Sequence, residues 1–428
     1  MKQFETIESE VRGYCRSWPT VFESAQGWNL YDESGREYLD FFAGAGALNY
    51  GHNHPVLIDR LMSHLRSSGV VHGLDMATTT KRDLLERFDD TVLRPRGLHY
   101  KLQFTVPTGT NGVEAALKLA RKVTGRHRVV SFTNAFHGMT LGSLAVTGNS
   151  MKRRGAGVPL TFSDTMPFEG FGDHDGSSIE YFESFLADTS SGVDVPAAVI
   201  VETVQAEGGV NVASTGWLQR LAALCSEHRI LLIVDDIQVG CGRTGPFFSW
   251  EAAGIRPDVV CLSKSLSGSG LPLALTLISP EHDIWEPGEH NGTFRGNNAA
   301  FVTATAALEL FWSDDALTRD VLRKGDLLRD GLTSLTLRHP ALFDEIRGRG
   351  MIRGVRAIEP GVAAAVAGAA FERGLIIETA GSDGEVVKLL PPLVVDDAAI
   401  ATAFEILTDA TDAVLDELLH TMEEEVAR

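Results

Sequence analysis

Six short apolar runs recur along the first two thirds of the chain, with longer amphipathic stretches between several of them. The runs are Leu102–Val106, Val129–Thr133, Ala197–Val201, Ile230–Asp235, Val259–Ser263 and Leu273–Ile278. Short continuous runs rich in aliphatic and β-branched side chains read as strands covered on both faces. Segments such as Gly112–Val123 and Gly216–His228 carry apolar residues at helical spacing instead. Strand and helix alternating in this way from about residue 75 to about 280 predicts a mainly parallel sheet with helices on both faces.

The two ends of the chain read differently. Residues 1–60 predict a short helix and then a hairpin-like segment, with Gly27–Tyr31 and Glu37–Phe41 joined by a turn over Asp32–Gly35. After Asn298 a long helical stretch runs over roughly 299–336, followed by strand-like Met351–Val355, Gly374–Thr379 and Val386–Leu390 and a helical tail. The expected architecture is α/β. A large domain over 61–315 holds a mainly parallel central sheet flanked by helices, and a smaller α+β domain covers 316–428, with 1–60 contributing to it.

Composition narrows the function classes. A chain of 428 residues with 44% hydrophobic and 22% charged residues is long enough for two or three domains. The formal net charge of −19 argues against nucleic acid or an acidic membrane surface as a general partner. Cys15, Cys225, Cys241 and Cys261 show no CxxC spacing, so reduced thiols in a cytoplasmic protein are expected. The polar start Met1-Lys2-Gln3-Phe4-Glu5 has no signal-peptide apolar region, and no apolar run approaches the ~18 residues of a membrane span.

Residues that carry chemistry gather just after the predicted strands. Asp235 ends one run, and Lys264 directly follows another 29 residues on, about the length of a strand–crossover–strand unit. That arrangement sets a carboxylate and an amine at neighbouring strand ends, in the crevice where open α/β sheets bind ligands. A lysine that forms a Schiff base and an aspartate that pairs with a pyridinium nitrogen are what pyridoxal phosphate (PLP) requires of a protein. A lysine at the end of a core strand is costly to bury unless it is paired, covalently bonded or depressed in pKa.

The neighbouring motifs fit the same site, though each has a plainer reading alone. Thr108-Gly109-Thr110-Asn111-Gly112 joins a strand to a helix. Its glycines let the backbone approach an anion to which hydroxyls and helix amides donate, or it is an ordinary N-cap and turn. Phe136-His137-Gly138 offers an aromatic face to a flat ring, or is a loop aromatic packed on the core beside a structural histidine. Glu202 and Glu207 end another strand, as a cofactor-side and a substrate-side carboxylate or as solvated loop groups. In Asp235-Asp236-Ile237-Gln238, Gln238 is placed to donate to a phenolic oxygen. A metal is not expected at the paired aspartates, because neighbours on a strand face opposite ways and no His/Cys cluster completes a ligand set. The polar stretch His290–Asn298 is a phosphate or interface loop, or a plain connection.

Taken in order, these segments resemble the class III (subgroup II) aminotransferases, which are fold-type I PLP-dependent transferases. The resemblance covers nearly the whole chain and rests on Thr-Gly-Thr-Asn-Gly-Val-Glu-Ala-Ala from Thr108, Phe-His-Gly from Phe136, Glu-x5-Gly-Gly from Glu202, Asp-Asp-Ile-Gln from Asp235, Gly-Cys-Gly-Arg-Thr-Gly from Gly240, Ser-Lys from Ser263 and Gly-Thr-Phe-Arg-Gly-Asn from Gly292. It implies that Lys264 carries the cofactor and Asp235 pairs with its ring nitrogen. It implies further that Gln238 meets the phenolic oxygen, that Gly109 and Thr110 bind phosphate, and that Phe136 stacks on the ring where a tyrosine is common. His137 and Glu202 are neighbours of the same cofactor. Thr293 matches a hydroxyl that reaches the neighbouring subunit's phosphate, so a homodimer or higher homo-oligomer with interfacial active sites is implied.

Within that class, Val11–Ser17, Gly44–Pro55, Val71–Met76 and Trp285–Asn298 are similar to the members that form diaminobutyrate in ectoine biosynthesis. This implies amino transfer from L-glutamate to L-aspartate 4-semialdehyde. Transfer involving ornithine, 4-aminobutyrate or acetylornithine, a PLP aminomutase, and a non-catalytic module on the same fold remain alternatives. The substrate-side candidates are Glu207 and Lys388. Lys388 stands before Pro391-Pro392-Leu393, where many class members place an arginine. It offers a point charge where arginine offers a bidentate fork, which weakens both its carboxylate-anchor role and the pairing of Glu207 with such an anchor.

Overall fold

In a computed structural model that describes residues 2–173 and 178–426, all six apolar runs become strands of one seven-stranded sheet. The order across the sheet is Lys101–Phe104, Leu275–Ile278, Val259–Leu262, Leu231–Asp235, Ala198–Val201, Val129–Phe132 and Ser163–Met166. Five neighbouring strands run parallel, and Leu275–Ile278 is antiparallel to both of its neighbours. Every residue of the Ala198–Val201, Leu231–Asp235, Val259–Leu262 and Leu275–Ile278 strands is buried. Cover on both faces is why their sequences are continuous apolar runs without alternation. Helix Gly109–Thr124 supplies part of that cover through Val113, Ala116, Leu117 and Ala120, at i, i+3, i+4 and i+7. These side chains pack with Val129, Ile200, Ile233 and Val259. Truncating one such residue, as in Ile233→Ala, costs about 2–5 kcal/mol.

The Ser163–Met166 strand was not expected from the sequence. It lies at the sheet edge, pairs only with Val129–Phe132 and buries only Met166. An edge strand with a polar Ser-Asp-Thr start carries no apolar signal. The stretch expected as one helix over 299–336 is two, Asn298–Phe311 and Ala316–Arg338. The Ser313-Asp314-Asp315 connection ends the first, and Asp314 accepts the Ala316 amide at 2.8 Å at the start of the second.

A four-stranded sheet follows, ordered Phe343–Arg349, Ile352–Ala357, Val386–Leu389 and Glu378–Ala380. Phe343–Arg349 is again a mostly polar edge strand that the hydrophobic pattern does not reveal. The N-terminal hairpin gains a strand, Phe22–Gln26, ahead of Asn29–Asp32 and Glu37–Asp40. That sheet also takes in Leu375–Ile376, which pairs in parallel with Leu39 and Asp40. Because the central strands share a direction, their C-terminal ends open along one edge, and the loops with the chemical residues meet there.

Candidate active site

Loops from five strand ends enclose a cavity of about 170 Å3, lined by Gly109, Thr110, Phe136, His137, Glu202, Asp235, Gln238 and Lys264 among others. All the residues expected to touch the cofactor line it except Thr293. That residue sits on the exposed turn Thr293–Arg295, outside the cavity, where its carbonyl accepts from His72 Nε2 at 2.8 Å.

Asp235 closes its strand with the carboxylate toward the cavity. Oδ2 lies 2.7 Å from His137 Nδ1, and Oδ1 accepts the Ile237 amide at 3.2 Å. An ionised carboxylate only accepts, so this contact assigns a proton to Nδ1. His137 Nε2 is buried with no partner among the described residues. Asp236 points the opposite way, as strand geometry requires, and takes the Ser249 amide at 3.1 Å and the Ser249 hydroxyl. Burial pushes the Asp236 carboxyl up to about 7. The two aspartates therefore serve different environments.

Lys264 has a left-handed φ of +49°. Its Nζ donates to the Ala45 carbonyl at 2.7 Å, and burial lowers its pKa to about 8. The accepting carbonyl belongs to a run, Ala43 to Gly46, in which all four residues have positive φ. Such a run is costly for the two alanines, and it aims Ala45 O at both Lys264 and Gln238 Nε2, the latter at 2.8 Å. Glu202 is buried and accepts the Phe136 amide at 2.9 Å. Burial first, and then the Asp235 charge, raise its pKa well above the ordinary carboxylate range, which favours the protonated acid.

At the other end, helix Gly109–Thr124 begins with amides that have no intrahelical acceptor. Thr110 Oγ1 joins Thr140 Oγ1 at 2.7 Å and Ser143 Oγ at 2.9 Å. A Cβ at Gly138, where φ is +119°, would lie 2.5 Å from Thr110 Oγ1, so this backbone stays bare and close. An amine, a carboxylate, an aromatic face and a glycine-lined helix start in one cavity fit the donor set PLP needs.

The family profile described as Aminotransferase class-III matches residues 14–411. The chain belongs to the class-III aminotransferases. It is 61% identical to a diaminobutyrate–2-oxoglutarate transaminase from Nocardia farcinica, over 96% of this chain and 94% of that protein. It is 55% identical to one from Virgibacillus pantothenticus, over 97% of this chain and 100% of that protein. Among solved structures, an ornithine aminotransferase from Toxoplasma gondii superposes with a TM-score of 0.83 at 26% identity, covering 97% of this chain and 94% of that one. That structure is described as revealing partial occupancy of PLP at the active site.

In this aminotransferase Glu207 and Lys388 form a second layer beside the cavity. Glu207 Oε1 accepts from Gln238 Nε2 at 3.2 Å and from Lys388 Nζ at 2.9 Å. Lys388 is completely buried, and its Nζ also lies 2.8 Å from Glu378 Oε1. Glu378 and Lys388 are directly opposed across antiparallel strands, so the second carboxylate is fixed by register. Burial opposes ionisation of Glu207, yet the Lys388 and Lys264 charges outweigh it and hold its carboxyl down at about 2. Burial likewise works against the Lys388 charge, and the two glutamates keep its pKa above the usual lysine value. Burial raises the Glu378 carboxyl despite its contact with Lys388. Two of the three Lys388 donors are thus turned to protein carboxylates. Sequence reasoning did not name Glu378, Ala45, Thr140 or Ser143 for the site.

Proposed function

We propose that this class-III aminotransferase uses PLP to move the amino group of L-glutamate to the aldehyde carbon of L-aspartate 4-semialdehyde. The products are 2-oxoglutarate and L-2,4-diaminobutyrate, a step of ectoine biosynthesis in the cytoplasm. The observation that carries the chemistry is Lys264 and Asp235 in one cavity beside a glycine-lined helix start. The names of relatives 55% and 61% identical over nearly the full length support the substrate pair.

When bound, PLP supplies an electron sink for negative charge on the substrate carbon that loses its proton. Lys264 would hold it covalently through Nζ. Released from that link, the same Nζ takes a proton from one carbon and returns it to another, and a pKa near 8 leaves the amine able to do both close to neutral pH. Asp235 would pair with the ring nitrogen and favour its protonated form, and His137 holds that carboxylate in place. Gln238 would hold the phenolic oxygen of the cofactor, and Phe136 would pack on its ring. Protonated Glu202 would offer it an O–H donor. The Gly109 and Thr110 amides would take the phosphate.

Glu207 faces the substrate as an anion, and Lys388 acts on that end of the site through it. Thr293, exposed and outside the cavity, would complete the phosphate end of a second copy's site, which makes the working form a homodimer or higher homo-oligomer. Among the described residues no helix is long and apolar enough to cross a membrane. Steady-state kinetics with product identification test the reading. With L-glutamate as donor, aspartate semialdehyde is expected to give the highest kcat/KM among semialdehydes, and a clear preference for another one overturns the substrate assignment.

A further inference from the structure

Beyond the cofactor cavity lies a second cavity of about 440 Å3, and Phe136 lines both. Its polar lining includes Lys152, Glu207 and Asp383. Lys152 belongs to the short helix Ser150–Arg154, and its Nζ sits 4.2 Å from the centre of the Phe136 ring. Among the described residues that ammonium makes no ion pair or hydrogen bond, and it rests on the aromatic face. An ammonium resting on a ring face keeps its hydrogen-bond donors open to an incoming carboxylate. Lys388 is the opposite case, because two buried carboxylates already hold it.

The charged residues lining this antechamber are one cation, Lys152, and two carboxylates, Glu207 and Asp383, and the Lys152 charge helps to hold the Glu207 carboxyl down. Glu207 uses Oε1 for Lys388 and Gln238, and Oε2 makes no hydrogen bond among the described residues. The separation of roles matches a zwitterionic head group, with a carboxylate for the cation and an ammonium for the anion. We propose that Lys152 is the residue that anchors the substrate carboxylate farthest from the reacting carbon, with Glu207 Oε2 facing the neighbouring ammonium. This inference rests on the transaminase reading and assigns its specificity.

Three acceptors separate the two readings. Succinic semialdehyde and butanal differ only in the carboxylate, and aspartate semialdehyde adds the ammonium to the first. For Lys152→Met, the ratio of kcat/KM for succinic semialdehyde to that for butanal is expected to fall about tenfold or more, the weight of one charge-assisted hydrogen bond. The loss should sit mainly in KM, the visible absorbance of bound PLP should match wild type, and Lys152→Arg should restore most of the ratio. An unchanged ratio in Lys152→Met overturns the inference, as does an equal loss with all three acceptors. A wild-type preference for succinic over aspartate semialdehyde instead overturns the substrate assignment and leaves the Lys152 ratio to be judged on its own.

Discussion

Lys388 is the one cation between two buried carboxylates, and replacing it with methionine gives a sharp test of the site's electrostatics. Methionine has nearly the same length, so the variant removes the charge while keeping most of the packing volume. In the native protein Glu207 is held at about 2, against an unfolded value of about 4.3 for glutamate. That difference corresponds to about 3 kcal/mol of stability, present above the unfolded pKa and lost as pH falls through the folded one. Removing one partner of a buried pair costs about 3–5 kcal/mol by mutational precedent, which agrees. In Lys388→Met the sign reverses. Glu207 and Glu378 then face each other without a cation, burial raises the Glu207 pKa above its unfolded value, and the folded state binds the extra proton. The variant should therefore lose about 3 kcal/mol at pH 7, and part of that deficit should return as pH is lowered toward about 5.5. Urea denaturation of the two proteins at both pH values reads this directly. A deficit below about 1 kcal/mol at pH 7, or one that does not shrink in acid, would refute the assignment of Lys388 as a structural counter-charge.

Other expectations follow from the inner cavity. Lys264→Ala should abolish both the visible band of bound PLP and transamination, and a persisting band would remove Lys264 from its role. Capture of added PLP by the apoprotein needs the neutral amine of Lys264, so its initial rate should rise as pH passes through about 8 and level off above; a rate flat from pH 6 to 9 contradicts the lowered pKa. Asp235→Asn removes the carboxylate opposite the ring nitrogen and should reduce kcat by about 100-fold or more, measured by single-turnover release of 2-oxoglutarate. Gly138→Ala forces a side chain into left-handed backbone 2.5 Å from Thr110 Oγ1, so equilibrium dialysis should show weaker retention of PLP, and unchanged retention would contradict the close approach.

What could be read from the sequence follows burial and backbone geometry. The central strands were legible because both faces are covered, so almost every position is apolar. Ser163–Met166 and Phe343–Arg349 were not, because edge strands expose one side and carry Ser, Asp, Glu and Arg there. The inner site was legible because its side chains directly follow those same strands, and Asp235 and Lys264 are fixed by the register that pairs Asp235 with Cys261. The Ala45 carbonyl was not, since a backbone acceptor has no side-chain signature. Its one available signal was the alternation Ala43-Gly44-Ala45-Gly46, which marks backbone that turns through positive φ.

Glu378 shows a further limit. It lies ten residues from Lys388 in the chain, and only the antiparallel pairing of Glu378–Ala380 with Val386–Leu389 sets the two side by side. Without that pairing, Lys388 reads as a free cation awaiting a substrate carboxylate. With it, the lysine is already committed to the protein, and the cation whose ammonium has no hydrogen-bonded carboxylate among the described residues is Lys152, on a helix that no motif marked. The same substitution of lysine for arginine before Pro391 fits this arrangement. A point charge with three donors can be shared between two glutamates in a closed space, whereas a planar fork is built to present a flat edge to one carboxylate. Lys388→Arg should therefore not give a better substrate anchor: the larger group must displace Glu207 or Glu378, and its KM for aspartate semialdehyde should rise. A lowered KM in that variant would show that the buried cation does meet substrate.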